Sequence, residues 1–275
     1  MRFASLVRRL VSRAACQALV GLLTLALLAG CKKVEPVKPL PPIRVAAASD
    51  LTLAFPDLAR VFEQQSGQRV ELSFGASGLL TKQLEQGAPF DMFASANVQF
   101  VEDLVKKQVC DGATQAPYAR GHLVVWSKTA VVAPPSSLAD LTDARFRRIA
   151  LANPETAPYG KAAKQALEKS GLWATLEPRI VYAENIRQTL QFAESGNAEA
   201  ALVALSLAVG AKAGSYSEVD PSLHAPIDQA LVVCKRGNNP DGGRAFAKFV
   251  NSAQGRGLMR RYGLLLPGET LAAAR

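Results

Sequence analysis

The residues Phe74-Gly75-Ala76-Ser77-Gly78 end an alternating apolar and polar run, Arg69 to Phe74, and precede a helically spaced stretch, Leu79 to Gln86. A serine at the start of a helix sits among backbone N–H groups that have no partner in their own helix and carry partial positive charge. With glycines allowing close approach, such a place can hold a small anion. Taken alone, it is also what an ordinary serine cap after a glycine turn looks like. Three other junctions repeat the device: Ser49-Asp50, Pro158-Tyr159-Gly160 and Asn185-Ile186. Together, four helix starts could hold a tetrahedral oxyanion with serine hydroxyls and backbone N–H groups, and no counter-cation. Hydrogen bonds to charged groups contribute roughly 1.5–3 kcal/mol each, so five or six would support tight binding.

Positioning those junctions requires strands that run into helices. Ile43–Ala48 reads as an apolar strand entering Ser49-Asp50, and Leu51–Gln65 as a helix closed by Gly67. Pro56 is tolerable there only in the first turn, where its missing N–H costs little. Strands over 69–74 and 90–95 follow, with helices over 79–86 and 98–107. Beyond Pro134-Pro135 the pattern restarts: strand 148–152, helix 161–169, strand 179–183, helix 186–194, strand 200–205. Alternating strands and helices with short links argue a parallel α/β sheet in each half. Two long strands, 121–128 and 229–235, fit as crossings between the halves. Lobe one is then 43–122 with 231–268 and lobe two 126–226, and ligands in such sheets bind at the carboxyl ends of the strands. Helices at about 240–251 and 253–262 close the chain.

The first 30 of the 275 residues have the form of a signal peptide, with Arg2, Arg8, Arg9 and Arg13 ahead of the apolar run Ala18–Ala29. The run ends in Leu28-Ala29-Gly30-Cys31, which resembles a bacterial lipobox with Cys31 as the lipidated residue. Residues 31–42, charged and rich in proline, read as a tether. Four arginines leave with the first 30 residues, which lowers the net charge from +9 to about +5. The remaining basic residues are scattered and aromatics are few, so no nucleic-acid stripe is evident. Cys110 and Cys234 could pair in an oxidising envelope or stay free. His122 and His224 stand apart, with no metal-ligand spacing. Trp126 and Trp173 read as packing residues rather than stacking platforms.

The strings S-F-G-A-S-G (73–78), Q-G-A-P-F-D-M-F-A-S-A (86–96), N-P-E-T-A-P-Y-G (153–160), A-E-N-I-R-Q (183–188) and R-Y-G-L-L-L-P (261–267) resemble the molybdate-binding proteins of ABC importers, in order, across essentially all of 43–268. The resemblance implies the α/β, two-lobed type II periplasmic binding protein fold with a two-strand hinge. It implies Ser49 and Ser77 as oxyanion ligands through hydroxyl and N–H, Tyr159 and Ile186 through backbone N–H, and Asp50 through its own N–H. No residue would touch a metal directly, since the metal is held as molybdate or tungstate, and no cofactor is implied. The implied partners are a membrane permease and its ATPase, with a monomer lipid-anchored through Cys31 on the periplasmic side of the cell envelope.

Two positions depart from the pattern. One branch of the family has a ligand-binding tyrosine where this chain has Ala204; the Tyr159 hydroxyl is the available substitute. Asp50 is the second, because a carboxylate within ~4 Å of a dianion repels it by several kcal/mol at intermediate dielectric. The reading adopted is that Asp50 caps its helix and points away. The alternative is that it accepts a proton carried by the ligand, which suits protonated phosphate, whereas a donor-only pocket suits molybdate, tungstate or sulfate. An enzyme with Ser77 as nucleophile is the rival class, but Gly75-Ala76-Ser77-Gly78 lacks the G-x-S-x-G spacing and no base is in evidence.

Overall fold

The structure, a computed structural model, describes residues 40–128 and 134–269. The expected signal peptide (1–30), Cys31 and most of the tether (31–42) lie outside the described residues. In chain order the elements are β1 (Ile43–Ala48), α1 (Ala54–Ser66), β2 (Val70–Gly75), α2 (Ser77–Glu85), β3 (Met92–Ser95), α3 (Val98–Lys106), β4 (Cys110–Gly121) and β5 (Leu123–Ser127). There follow β6 (Ile149–Ala152), α4 (Pro158–Lys169), α5 (Trp173–Leu176), β7 (Ile180–Ala183), α6 (Ile186–Glu194), β8 (Ala200–Ala204) and α7 (Leu205–Ala208). The chain ends with β9 (Ser215–Glu218), β10 (Ile227–Cys234), α8 (Pro240–Val250) and α9 (Ala253–Arg261).

The strands form two five-stranded mixed sheets, ordered β2-β1-β3-β10-β4 and β7-β6-β8-β5-β9. In the first, β1 runs parallel to β2 and β3, and β10 is antiparallel to β3 and β4. Alternate residues of β1 serve its two faces, as the twofold period of a strand dictates. Val45 and Ala47 pack among Phe55, Phe62 and Phe246 on one side. Ala46 packs with Leu80, Phe93 and Val101 on the other. Apolar residues on both faces are what a parallel sheet covered by helices on each side requires. The second sheet has its own core around Trp126, Phe146, Leu151 and Leu202. Trp126 is thus a packing residue, and Trp173 lies against the same core with Lys164 over its ring.

Local signals account for most element ends. Gly67 follows α1 at φ 69°, a left-handed cap that a glycine adopts without a Cβ penalty. Pro56 is the third residue of α1, inside the first turn where its missing N–H breaks no helical bond. The stretch before α1 instead forms a short 3-10 turn, Ser49–Leu51.

Two differences from the sequence reading concern the crossings. The single strand expected over 121–128 is interrupted at His122. Gly121, the last residue of β4, pairs with Ile227 in the first sheet, while Leu123 pairs with Ala204 in the second. The His122 carbonyl accepts the Leu205 N–H, which holds the turn between them. The second passage lies at about 219–226, since all of β10 pairs within the first sheet. β4 itself is a twelve-residue strand in a stretch whose polar composition gives no strand signal.

The β4–β10 pairing also answers the cysteine question. Cys110 and Cys234 are cross-strand partners in register and form a disulfide across 124 residues of sequence. Closing so long a loop restricts the unfolded chain. Reduction, or Cys110→Ser with Cys234→Ser, is expected to lower stability by about 2–5 kcal/mol, read as a lower urea midpoint with and without reductant. An unchanged midpoint would show that the pairing of β4 and β10 is held by the sheet alone.

Candidate functional site

Register decides where the four helix starts go. In the first sheet Ala48 is level with Gly75, and Ala47 with Ala94. The residues that follow, Ser49, Ala76 and Ala96, therefore leave the sheet at one edge. In the second sheet Ala152 is level with Ala183, so the loops that lead into α4 and α6 leave at one edge too. The two edges meet. Ser49, Asp50, Ser77, Tyr159 and Ile186 all line one small cavity of about 10 Å3, together with Gly75, Ala76, Ala96 and Pro158. None of the five exceeds 4% exposure.

The donors differ in kind. Ser77 is the first residue of α2, and its Oγ accepts the Ala96 N–H at 3.0 Å. A hydroxyl has one proton to give, so accepting from Ala96 leaves that proton for an anion. Ile186 is the first residue of α6, whose Asn185 cap takes the N–H groups of Arg187 and Gln188 at 3.1 Å each. The Ile186 N–H, by its position, has no acceptor within the helix. Tyr159 is the second residue of α4, in the same situation. Among the described residues, no lysine, arginine or histidine lines the cavity.

Hydrogen bonds tie the lobes together around it. The Gly78 N–H donates to Thr156 O at 2.9 Å. The Ser206 hydroxyl donates to Asp50 O at 2.8 Å. The Tyr159 hydroxyl donates to Asp50 Oδ2 at 3.2 Å. Gly78 is there for room: a Cβ at this position would lie 2.9 Å from the same Thr156 oxygen.

The expectation that Asp50 caps its helix and points away is corrected here. The 3-10 turn of Ser49–Leu51 has no side-chain cap. Asp50 is fully buried, and its Oδ2 accepts from both Tyr159 and Gln229 Nε2, the latter at 2.8 Å, while Oδ1 has no partner. Gln229 Nε2 also donates to the Tyr159 hydroxyl oxygen at 2.9 Å. The attraction of two neutral donors from distant parts of the chain thus outweighs a local cap. It also changes the expected use of Tyr159, whose hydroxyl proton goes to Asp50. Burial pushes the Asp50 carboxyl up to about 6 from 3.8, opposed by these two hydrogen bonds. Burial, and then the charge of Asp50, push the Tyr118 and Tyr159 hydroxyls well above their ordinary value, so both stay protonated.

Gln229 and Ser206 are site neighbours that the sequence reading missed. Gln229 had a signal, a polar side chain at the head of the apolar run Ala230–Cys234; Ser206 had none beyond following a buried strand. Among the described residues, no group of histidines, cysteines and carboxylates is arranged to hold a metal ion.

Residues 43–265 match the bacterial extracellular solute-binding protein family. The chain belongs to that family. Within it, the resemblance to molybdate-binding proteins holds along the chain. This solute-binding protein is 33% identical over 218 residues to the molybdate-binding protein ModA of Rhodobacter capsulatus, covering 79% of this chain and 86% of that one. The periplasmic molybdate-binding protein of Azotobacter vinelandii superposes with a TM-score of 0.77 at 30% identity, over 82% of this chain and 99% of the other. The sulfate-binding protein SubI of Mycobacterium tuberculosis shares the fold, with a TM-score of 0.72 at 16% identity. The molecule has the α/β, two-lobed fold of periplasmic binding proteins, with two passages between the lobes.

The raised Asp50 carboxyl sets a pH dependence of stability. The folded protein holds this proton more tightly than the unfolded chain, so stability falls as pH rises from about 3.8 to about 6 and then levels off. The difference amounts to roughly 3 kcal/mol. Asp50→Asn removes it. Urea unfolding at pH values between about 4 and 7 should show the stability of this variant rising relative to wild type across that window; a constant difference would mean that Asp50 titrates normally.

Proposed function

We propose that this protein captures a tetrahedral oxyanion, molybdate and by the same chemistry tungstate, and delivers it to an ABC importer without chemical change. The observation that carries the reading is the single buried cavity on which four strand-to-helix junctions converge, lined by hydroxyls and helix-start N–H groups and by no cation. Ser49 and Ser77 bind through hydroxyl and N–H, Tyr159 and Ile186 through backbone N–H. Relatives named for molybdate binding support the choice of anion. The protein is a binding protein rather than an enzyme. It is a monomer, held by lipid on Cys31 at the periplasmic side of a membrane, and its partners are the permease and ATPase of the importer. The open form takes the anion on lobe one, and closure adds the lobe-two N–H groups, as hinge motions around ligands do.

A second reading follows from one specific observation. The unpartnered Asp50 Oδ1 beside the cavity favours a ligand that carries a proton, which admits phosphate; sulfate remains the donor-only alternative.

Calorimetric titration with molybdate, tungstate, sulfate and phosphate tests the assignment, with tight binding of molybdate and tungstate expected and phosphate-selective binding against it. Ser77→Ala should weaken molybdate binding by about 1.5–3 kcal/mol, roughly ten- to a hundredfold. Full affinity in that variant would remove Ser77 from the site. Gly78→Val sets methyl groups against the Thr156 carbonyl and is expected to weaken binding by about 1–3 kcal/mol through hindered closure. Equal affinity would mean that closure does not bring these two residues together.

A further inference from the structure

The Asp50 carboxylate has a buried oxygen that the fold leaves without a hydrogen-bond partner. Its Oδ2 is claimed by Tyr159 and Gln229, while Oδ1 has no donor, and the residue lines the candidate cavity. Every other polar group placed there for the ligand is a donor, so a bare acceptor is out of keeping with a dianion. Nor is there a charge to neutralise it. The groups packed around Asp50 are the Tyr159 hydroxyl from α4, the Gln229 amide from β10, the Ser206 hydroxyl from α7 and, through its charge, the Tyr118 hydroxyl of β4. All are neutral. Lys161 lines two outer grooves, which share Ala96, Ala157 and Pro158 with the cavity, and Glu155 lines one of them, but neither lines the cavity itself.

We propose that the cavity takes up its oxyanion together with one proton, shared between Asp50 Oδ1 and a ligand oxygen. The proposal rests on the oxyanion reading above and adds the protonation state of the complex. The balance is simple: a dianion and a solvent proton enter, no covalent bond of the ligand breaks, and no electron moves. Without that proton, three negative charges would share a buried volume with neutral donors only. With it, Oδ1 becomes one more hydrogen-bond donor, since Tyr159 and Gln229 occupy Oδ2 and leave the proton to Oδ1. A dianion nearby acts in the same direction as burial, since a like charge disfavours ionisation of a carboxyl.

Calorimetry of sodium molybdate in two buffers of different ionisation enthalpy, at about pH 7.5, counts the protons that enter with the anion. Wild-type protein is expected to take up close to one, with Kd weakening about tenfold per pH unit between about pH 7 and 9. In Asp50→Asn, uptake falls to near zero and the profile flattens. Tight binding by the wild type with no proton uptake and a flat profile overturns the proposal and leaves the oxyanion reading standing. Undiminished uptake in Asp50→Asn overturns it as well, because another group then holds the proton. Failure to bind molybdate at any pH removes the molybdate reading and this one with it. The wild-type measurement decides even if the variant does not fold.

Discussion

An anion held without a counter-cation needs many weak donors at one point, and the register of parallel strands is what delivers them here. A helix start offers one or two unpaired N–H groups, too few to bind alone. Parallel strands that end level with one another send their chains out at a common edge, as Ala48 and Gly75 do in one sheet and Ala152 and Ala183 in the other. Each sheet then contributes two helix starts within a small volume. Moving a strand by one residue would turn its side chains to the opposite face and disrupt the packing of both cores, so the cores that fix register also fix the donor geometry.

Asp50 is the counterweight to that donor set. Burying a carboxylate among neutral groups lowers stability, and its two hydrogen bonds only partly offset the cost. What the molecule has in return is a link between regions far apart in sequence. Asp50 belongs to the first lobe, Tyr159 to the second, and Gln229 to β10, which precedes no further crossing. Ser206 reaches the Asp50 carbonyl from the second lobe as well. The acid therefore sits where the lobes are joined and where the anion would lie.

Most of the fold could be read from periodicity. β1 and α6 stand where their apolar spacing puts them, because local pattern and tertiary burial agree there. β4 could not be read, since residues 110–120 are polar and earn their strand conformation from pairing with β10. The break at His122 was hidden for the converse reason: an unbroken apolar run gives no sign that its first residue belongs to a different sheet. For the candidate site, sequence showed the four junctions but not the direction of the Asp50 side chain. A capping role depends on neighbours within a few residues, whereas its actual partners lie 109 and 179 residues away. The same distance concealed the use of the Tyr159 hydroxyl.

These positions couple closure to protonation. On the proposed closure, parting the lobes would take Tyr159 and Ser206 away from Asp50 and let water reach it, so that its carboxyl would return toward the ordinary range and give up its proton. With the lobes together, burial and the anion both favour the protonated acid. In that scheme anion and proton would be linked through a single conformational change, and each would raise the apparent affinity for the other by the same factor. Release follows the reverse path. Whatever drew the lobes apart would expose Asp50, and an ionised carboxylate beside the anion would repel it toward the opening.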